Sequence, residues 1–208
     1  MTLFLQTLQK RDLYPAKRDE IYGQSLQEIK RLESLVSNLL ITRSIENRNY
    51  YLNKTNLPLH ELIQSVVSGL QGSILKNHVC ELNLAEAHLL ADRESLISII
   101  TNLLQNAAKY APVKSLIRID LSADNNVIKL VVADQGIGIS DDKKELAFRR
   151  FFRDENEMTR KSKGTGLGLF ITRFLVEQHN GTIKLEDNNP QGLRVVIQFK
   201  QNELWQKK

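Results

Sequence analysis

Residues 164–169, GTGLGL, run directly into the apolar positions Phe170, Ile171, Phe174, Leu175 and Val176. Three glycines at alternating positions remove the Cβ atoms that would hold a ligand off the backbone, and the 3.6-residue spacing that follows starts a helix near Leu167. Such a turn presents unpaired amide N–H groups at a helix start. They favour an anion, phosphate above all. A flexible glycine loop with no ligand has the same composition, so the weight of this stretch depends on what precedes it.

Asp92 caps a helix predicted over residues 93–110. Its apolar positions Leu96, Ile99, Ile100, Leu103, Leu104 and Ala107 make one stripe, whereas Asn102, Asn106 and Lys109 follow at i, i+4 and i+7 on a second face. Asparagine is a poor residue for a helix interior. Either this face is solvated, or a carboxamide oxygen completes an octahedral magnesium shell beside phosphates, with Lys109 neutralising their charge. Residues 134–139, DQGIGI, come directly after a strand. A carboxylate there can accept a hydrogen bond from an exocyclic amine while the glycines admit a flat ring, the alternative being a plain Asx-stabilised turn. Neither glycine stretch is a Walker A loop or a dinucleotide fingerprint.

The formal charge of +5 is unevenly spread over the 208 residues: Arg149, Arg150, Arg153, Arg160, Lys161 and Lys163 all fall just ahead of the glycine turn. That placement suits a basic lid over a polyphosphate better than a nucleic-acid surface, with a solvated loop as the other reading. No nucleic acid is expected as a partner. The lone Cys80 cannot form an internal disulfide, no leader opens the chain and apolar runs are short. A cytoplasmic location and no membrane contact by this chain are therefore expected, although a longer parent could be membrane-bound.

The other elements follow from periodicity. Residues 1–11 read as the end of an amphipathic helix, broken at Asp12-Leu13-Tyr14-Pro15, and residues 16–45 as a longer one. In the latter Ile29, Leu32, Val36 and Leu39 repeat at 3, 4, 3 beside Leu26, Leu35 and Leu40, a seam that two helices alone cannot bury. A four-helix dimer solves this. A boundary is expected near residues 46–49. Then come a strand over 50–57, a helix over 59–75 and strands over 79–84, 88–91, 116–122 and 127–133, the last two joined as a hairpin. The helix from Leu167 should end at Asn180-Gly181 with glycine as the left-handed cap. A closing hairpin over 182–186 and 193–199 turns at residues 188–192. Strands without regular βαβ alternation predict an α+β sandwich, a mixed sheet with helices on one face.

In order, NLLQNAAKY (102–110), DQGIGI (134–139), FRRFFR (148–153) and GTGLGL (164–169) resemble the N, G1, F and G2 boxes of the catalytic ATP-binding domain of sensor histidine kinases. That domain belongs to an ATPase superfamily shared with DNA gyrase and mismatch-repair proteins, and the resemblance covers about residues 50–200. It implies a two-layer α/β sandwich of the Bergerat type over residues 48–208, preceded over residues 1–47 by part of an antiparallel dimerisation and phosphotransfer hairpin. It also implies ATP and Mg2+ as ligands. Asn106 would ligate magnesium, with Asn102 beside it at the phosphates, while Lys109 would contact phosphate and Tyr110 the nucleoside. Asp134 would recognise the adenine amino group in a pocket shaped by Gly136 and Gly138. Arg150 would approach the γ-phosphate, Phe151 would anchor the lid over 154–163, and Gly164, Thr165, Gly166, Leu167 and Gly168 would cradle the phosphates.

The same resemblance implies a homodimer through the hairpin and phosphoryl transfer from ATP to a histidine, for relay to a response regulator receiver domain. The chain departs from the family pattern in lacking a His-Glu-Leu-Arg-Thr-Pro-Leu segment. Its histidines, His60, His78, His88 and His179, stand in other contexts and read as structural or surface residues. Superfamily members that hydrolyse ATP carry a glutamate base where Asn102 stands, so weak hydrolysis is expected. A non-catalytic nucleotide-binding or dimerising regulator and an anti-sigma-type serine kinase on the same fold are the alternatives.

Overall fold

The computed structural model describes residues 15–46, 50–124, 126–153 and 165–200. The chain forms two compact units, Met1–Tyr50 and Tyr51–Lys208. In the first, helix α1 (Pro15–Glu46) runs unbroken for 32 residues. Proline is tolerated at its first position, where the missing N–H has no intrahelical partner to lose. Leu26, Ile29, Leu32, Val36, Leu39 and Leu40 stand 39% to 59% exposed along it. The preceding arm of the expected hairpin and the break at residues 12–14 lie outside the described residues.

The second unit begins with β1 (Lys54–Pro58), α2 (Leu59–Gln71), β2 (Val79–Leu84), β3 (His88–Asp92) and α3 (Arg93–Tyr110). It continues with β4 (Leu116–Asp124), β5 (Val127–Ala133), the short α4 (Asp141–Lys144), a 3-10 turn (Leu146–Phe148), α5 (Gly168–Gln178), β6 (Gly181–Asp187) and β7 (Leu193–Lys200). Five strands in the order β2-β4-β5-β7-β6 form one mixed sheet. Only β2 and β4 are parallel in it. Strands β1 and β3 pair antiparallel as a separate ribbon. This is the α+β architecture that the periodicity predicts.

Register explains the core. The pairings Ile119↔Val132, Leu121↔Leu130, Leu130↔Ile197, Val132↔Val195 and Ile183↔Ile197 put the apolar residues of four strands on one face, because side chains alternate along each strand. Against that face lie the buried sides of α2 (Leu59, Leu62, Ile63, Val67), α3 (Leu96, Ile99, Ile100, Leu103, Leu104) and α5 (Ile171, Leu175, Val176). The opposite face is chiefly polar and ends in two ion pairs, Arg118–Glu81 at 3.4 Å and Arg194–Glu186 at 3.5 Å.

Three expectations need correction. The helix predicted to residue 75 stops at Gln71 with Gly72 as its C-cap, and the N–H groups of Ser73 and Leu75 return to the Leu70 carbonyl. The strand predicted from residue 50 starts at Lys54, since the N–H of Asn53 is taken by Asp92 Oδ2 and leaves no ladder to extend. Asn180, not Gly181, supplies the left-handed residue after α5, with φ of 55°. Glycine is needed at 181 for space instead, because a Cβ there would sit 2.8 Å from the Phe199 ring and 2.9 Å from the Gln198 carbonyl oxygen.

Helices α3 and α5 are joined at one end through His179. Its Nδ1 donates to the Leu175 carbonyl at 2.7 Å, and its Nε2 accepts the N–H of Asp92 at 3.0 Å. Asp92 in turn caps α3, accepting from the Ser95 N–H at 2.8 Å. These partners require the neutral ring, and burial lowers the pKa of His179; the Leu175 hydrogen bond and Asp92 oppose that shift, while Lys54 adds to it. A folded pKa below the unfolded one gives stability that is present above the unfolded value, about 6.5, and lost as pH falls through the folded value. The melting temperature of the chain is therefore expected to drop as pH falls below about 6.5, and His179→Gln is expected to flatten that drop while lowering stability by roughly 1 kcal/mol at neutral pH. Thermal melts of both proteins across this range check it.

Candidate functional site

The far ends of the same two helices bring the asparagine face and the glycine turn together. A Cβ on Gly168, the first residue of α5, would lie 3.8 Å from Asn102 Oδ1 and 3.9 Å from Asn106 Nδ2. Asn102 is only 8% exposed, and its buried Nδ2 has no hydrogen-bond partner among the described residues. An orphaned amide of this kind costs about 1–3 kcal/mol unless a ligand takes it up. Among the described residues no side chain caps α5 at Leu167. Its first N–H groups and their share of the helix dipole are left for an anion.

Gly166 explains how the basic FRRFFR segment joins this corner. With φ of 69° and a virtual Cβ 2.7 Å from the Phe151 carbonyl carbon, it admits no other residue without strain. The Gly166 carbonyl accepts the N–H of Phe151 at 2.9 Å, and Phe151 itself has φ of 63°. The Phe151 ring is 59% exposed beneath the Arg150 guanidinium, 5.0 Å away. Lys109 donates to the Tyr110 hydroxyl at 2.9 Å.

Asp134, at the end of β5, is 6% exposed. Burial pushes its carboxyl above the usual carboxylate range, and the N–H groups of Gly136 and Leu193, both donating to Oδ1, oppose that shift. Oδ2 receives no hydrogen bond from the described residues. A Cβ on Gly136 would lie 2.8 Å from the Tyr110 carbonyl oxygen, so this turn sits directly on the C-terminal end of α3. Gly138 has φ of 71°. An ionised acceptor with one free oxygen, beside backbone stripped of side chains, suits an aromatic amine.

The structure thus brings Asn102 and Asn106 to Gly168, Tyr110 to Gly136 in the turn after Asp134, and Gly166 to Phe151, with Thr165 and Leu167 flanking Gly166 in the chain. Gly164 and the segment 154–163 lie outside the described residues. Among the described residues no three His, Cys, Asp or Glu side chains gather as a metal site. A divalent cation here would draw on the Asn106 amide oxygen and on phosphate, which suits a hard, oxygen-seeking ion.

Sequence reasoning missed three supports. Asn188 Nδ2 donates to the Asp134 carbonyl at 2.7 Å, yet residues 188–192 read only as a hairpin turn. Phe148, not Phe151, is the buried ring of FRRFFR, with Arg173 lying 5.1 Å over it and paired to Glu145 and Glu177. Lys144 holds Asp141 at 2.6 Å and Asp187 at 2.8 Å, tying α4 to β6. The i, i+4 spacing of Arg173 and Glu177 and the i, i+3 spacing of Asp141 and Lys144 were the local signals available.

Residues 91–203, more than half of the chain, match the family of histidine kinase-, DNA gyrase B- and HSP90-like ATPases. The circadian input-output histidine kinase CikA of Synechocystis sp. is 29% identical over 184 residues, covering 86% of this chain and 24% of that protein. Sensor histidine kinase CpxA of Escherichia coli is 30% identical over 173 residues, 82% of this chain and 37% of CpxA. The chain therefore spans well under half the length of these relatives. The solved structure of the mycobacterial sensor histidine kinase MprB superposes with a TM-score of 0.63 at 26% identity, covering 71% of this chain and 97% of that one. Sequence match, fold and the corner where Asn102, Asn106 and Gly168 meet agree: this chain belongs to the family of histidine kinase-, DNA gyrase B- and HSP90-like ATPases, and carries the ATP-binding domain of a sensor histidine kinase.

Proposed function

We propose that this chain is the catalytic part of a two-component sensor histidine kinase that moves the γ-phosphoryl group of ATP to a histidine, for relay to the receiver domain of a response regulator. The observation that carries the reading is the buried, unpartnered Asn102 amide beside Asn106 and the uncapped start of α5. In this scheme residues 48–208 bind and position the nucleotide, and residues 1–47 belong to a dimerisation and phosphotransfer hairpin. The exposed apolar stripe of α1 supports a homodimer, since a second copy can bury it as a four-helix bundle.

Asp134 Oδ2 accepts the 6-amino group of adenine while Gly136 and Gly138 leave room for the ring. Tyr110 lines the nucleoside. Lys109 exchanges its contact with the Tyr110 hydroxyl for phosphate, and Gly164, Thr165, Gly166, Leu167 and Gly168 cradle the phosphates through their N–H groups. Arg150 reaches the γ-phosphate from above, beside Phe151. Asn106 would hold Mg2+ through its amide oxygen, and the ion when bound would neutralise phosphate charge. Catalysis by these residues is positioning and charge stabilisation. Asn102 cannot take a proton from water, so it leaves hydrolysis slow and the nucleophile to the histidine nitrogen.

Three outcomes are expected. Titration calorimetry with magnesium gives a saturable heat for ATP; no heat at millimolar nucleotide counts against the reading. Incubation with labelled ATP and a separate polypeptide carrying a His-Glu-Leu-Arg-Thr-Pro helix yields acid-labile phosphate on that polypeptide, whereas brisk ATP hydrolysis without transfer contradicts the role given to Asn102. The third follows from the raised pKa of Asp134, whose contribution to stability is present below the unfolded pKa and lost as pH rises through the folded one. At neutral pH the ionised group is thus a burden on the empty fold. Asp134→Asn is expected to raise Tm without nucleotide and to weaken ATP binding by about tenfold or more, measured by thermal melts and calorimetry.

A further inference from the structure

Asp134 is gripped from the β6–β7 hairpin as well as from its own turn. The Leu193 carbonyl accepts the Asp134 N–H at 2.9 Å, and the Leu193 N–H reaches Oδ1 at 3.4 Å. The remaining polar group of the residue, its main-chain carbonyl, accepts the Nδ2–H of Asn188 at 2.7 Å. Asn188 is anchored in turn, since its own N–H donates to the Gly192 carbonyl at 3.0 Å. Gly192, with φ of 122°, lies so close to the Asp134 carbonyl that any Cβ there would overlap it.

A side chain that only closes a hairpin bonds within the hairpin. Asn188 instead crosses to a residue 54 positions earlier. With the Asp134 N–H, carbonyl and Oδ1 all engaged, the direction of Oδ2 is set by how firmly the main chain of Asp134 is held. We propose that Asn188 is a specificity-determining positioning residue, which aims Oδ2 of Asp134 at the 6-amino group of adenine and thereby sets the preference for an amino-bearing purine nucleotide. This role rests on Asp134 being the acceptor for that amine.

The test compares two nucleotides, ATP and purine riboside triphosphate, which is ATP with hydrogen in place of the 6-amino group. Affinities of the full chain for both, with magnesium, are measured by calorimetry for the wild type, Asn188→Ala and Asn188→Asp. The wild type is expected to prefer ATP. Both substitutions are expected to weaken ATP binding about fivefold to tenfold. They should leave the analogue within about twofold, so that the preference collapses, because losses that share one interaction do not add. An equal loss for both nucleotides would mean that Asn188 only steadies the hairpin, and overturns the proposal; so does unchanged ATP affinity in the variants. Asn188→Asp keeps the side-chain shape without the donor and decides the matter if circular dichroism shows the alanine variant unfolded. A wild type that binds no ATP overturns the reading of Asp134 and this role together, whereas ATP binding with an unaltered preference in the variants overturns this role alone.

Discussion

The antiparallel contact between α3 and α5 is the constraint on which the rest of the ATP-binding unit depends. Each helix supplies half of one corner, Asn102 and Asn106 from one and Gly168 from the other, and the corner exists only where the two meet. The helices are held in register by apolar burial between them and by the His179 bridge to the Asp92 N–H, which joins the C-terminal end of α5 to the N-terminal end of α3. Because α3 is capped by Asp92 and α5 ends at His179, one small polar cluster fixes both helix axes. The unpaired amide at Asn102 sits on a helix firmly seated in the core, since Leu103 and Leu104 beside it and Ile171 and Leu175 of α5 are all buried.

A second theme is electrostatic tension left in place. Asp134 is kept in a desolvated pocket that resists its charge, and only backbone N–H groups on a single oxygen offset the burial. The start of α5, beside Asn102 and Asn106, has no side-chain cap among the described residues and presents N–H donors. One end of the site thus lacks a donor and the other lacks an acceptor, which is the complement of a molecule with an amine at one end and anionic oxygens at the other. Glycine makes this possible sterically at positions 136 and 166, where backbone runs against backbone at separations no Cβ allows.

Much of this was legible in the sequence because it is written in local signals. The helix over Arg93–Tyr110, its Asp92 cap and the alternation of β4 and β5 follow from period and capping chemistry alone. The placement of Asn102 and Asn106 on one helix face followed equally. What stayed hidden was tertiary. Gly181 looked like a helix cap, but Asn180 could adopt the left-handed conformation and the glycine was demanded by the Phe199 ring from another strand. Asn188 looked like turn chemistry because nothing within five residues of it announces Asp134. Buried Phe148 is covered by Arg173, again supplied from a distant helix. The α1 stripe was read correctly as apolar, since a seam is a property of one helix whatever covers it.

The strand order has a consequence for how the chain comes to be assembled. Strand β7 is the last of the described strands in sequence, yet it lies inside the sheet, between β5 and β6. Until it arrives, β5 has an open hydrogen-bonding edge, and the floor beneath α3 and α5 is missing Val195, Ile197 and Phe199. The same strand brings Leu193 to Asp134. Without β7 the chain still carries the residues of α3 and of the turns at Gly136 and Gly166 but has no Leu193 to hold Asp134, so these residues are brought into one arrangement only once residues 193–200 have joined the sheet.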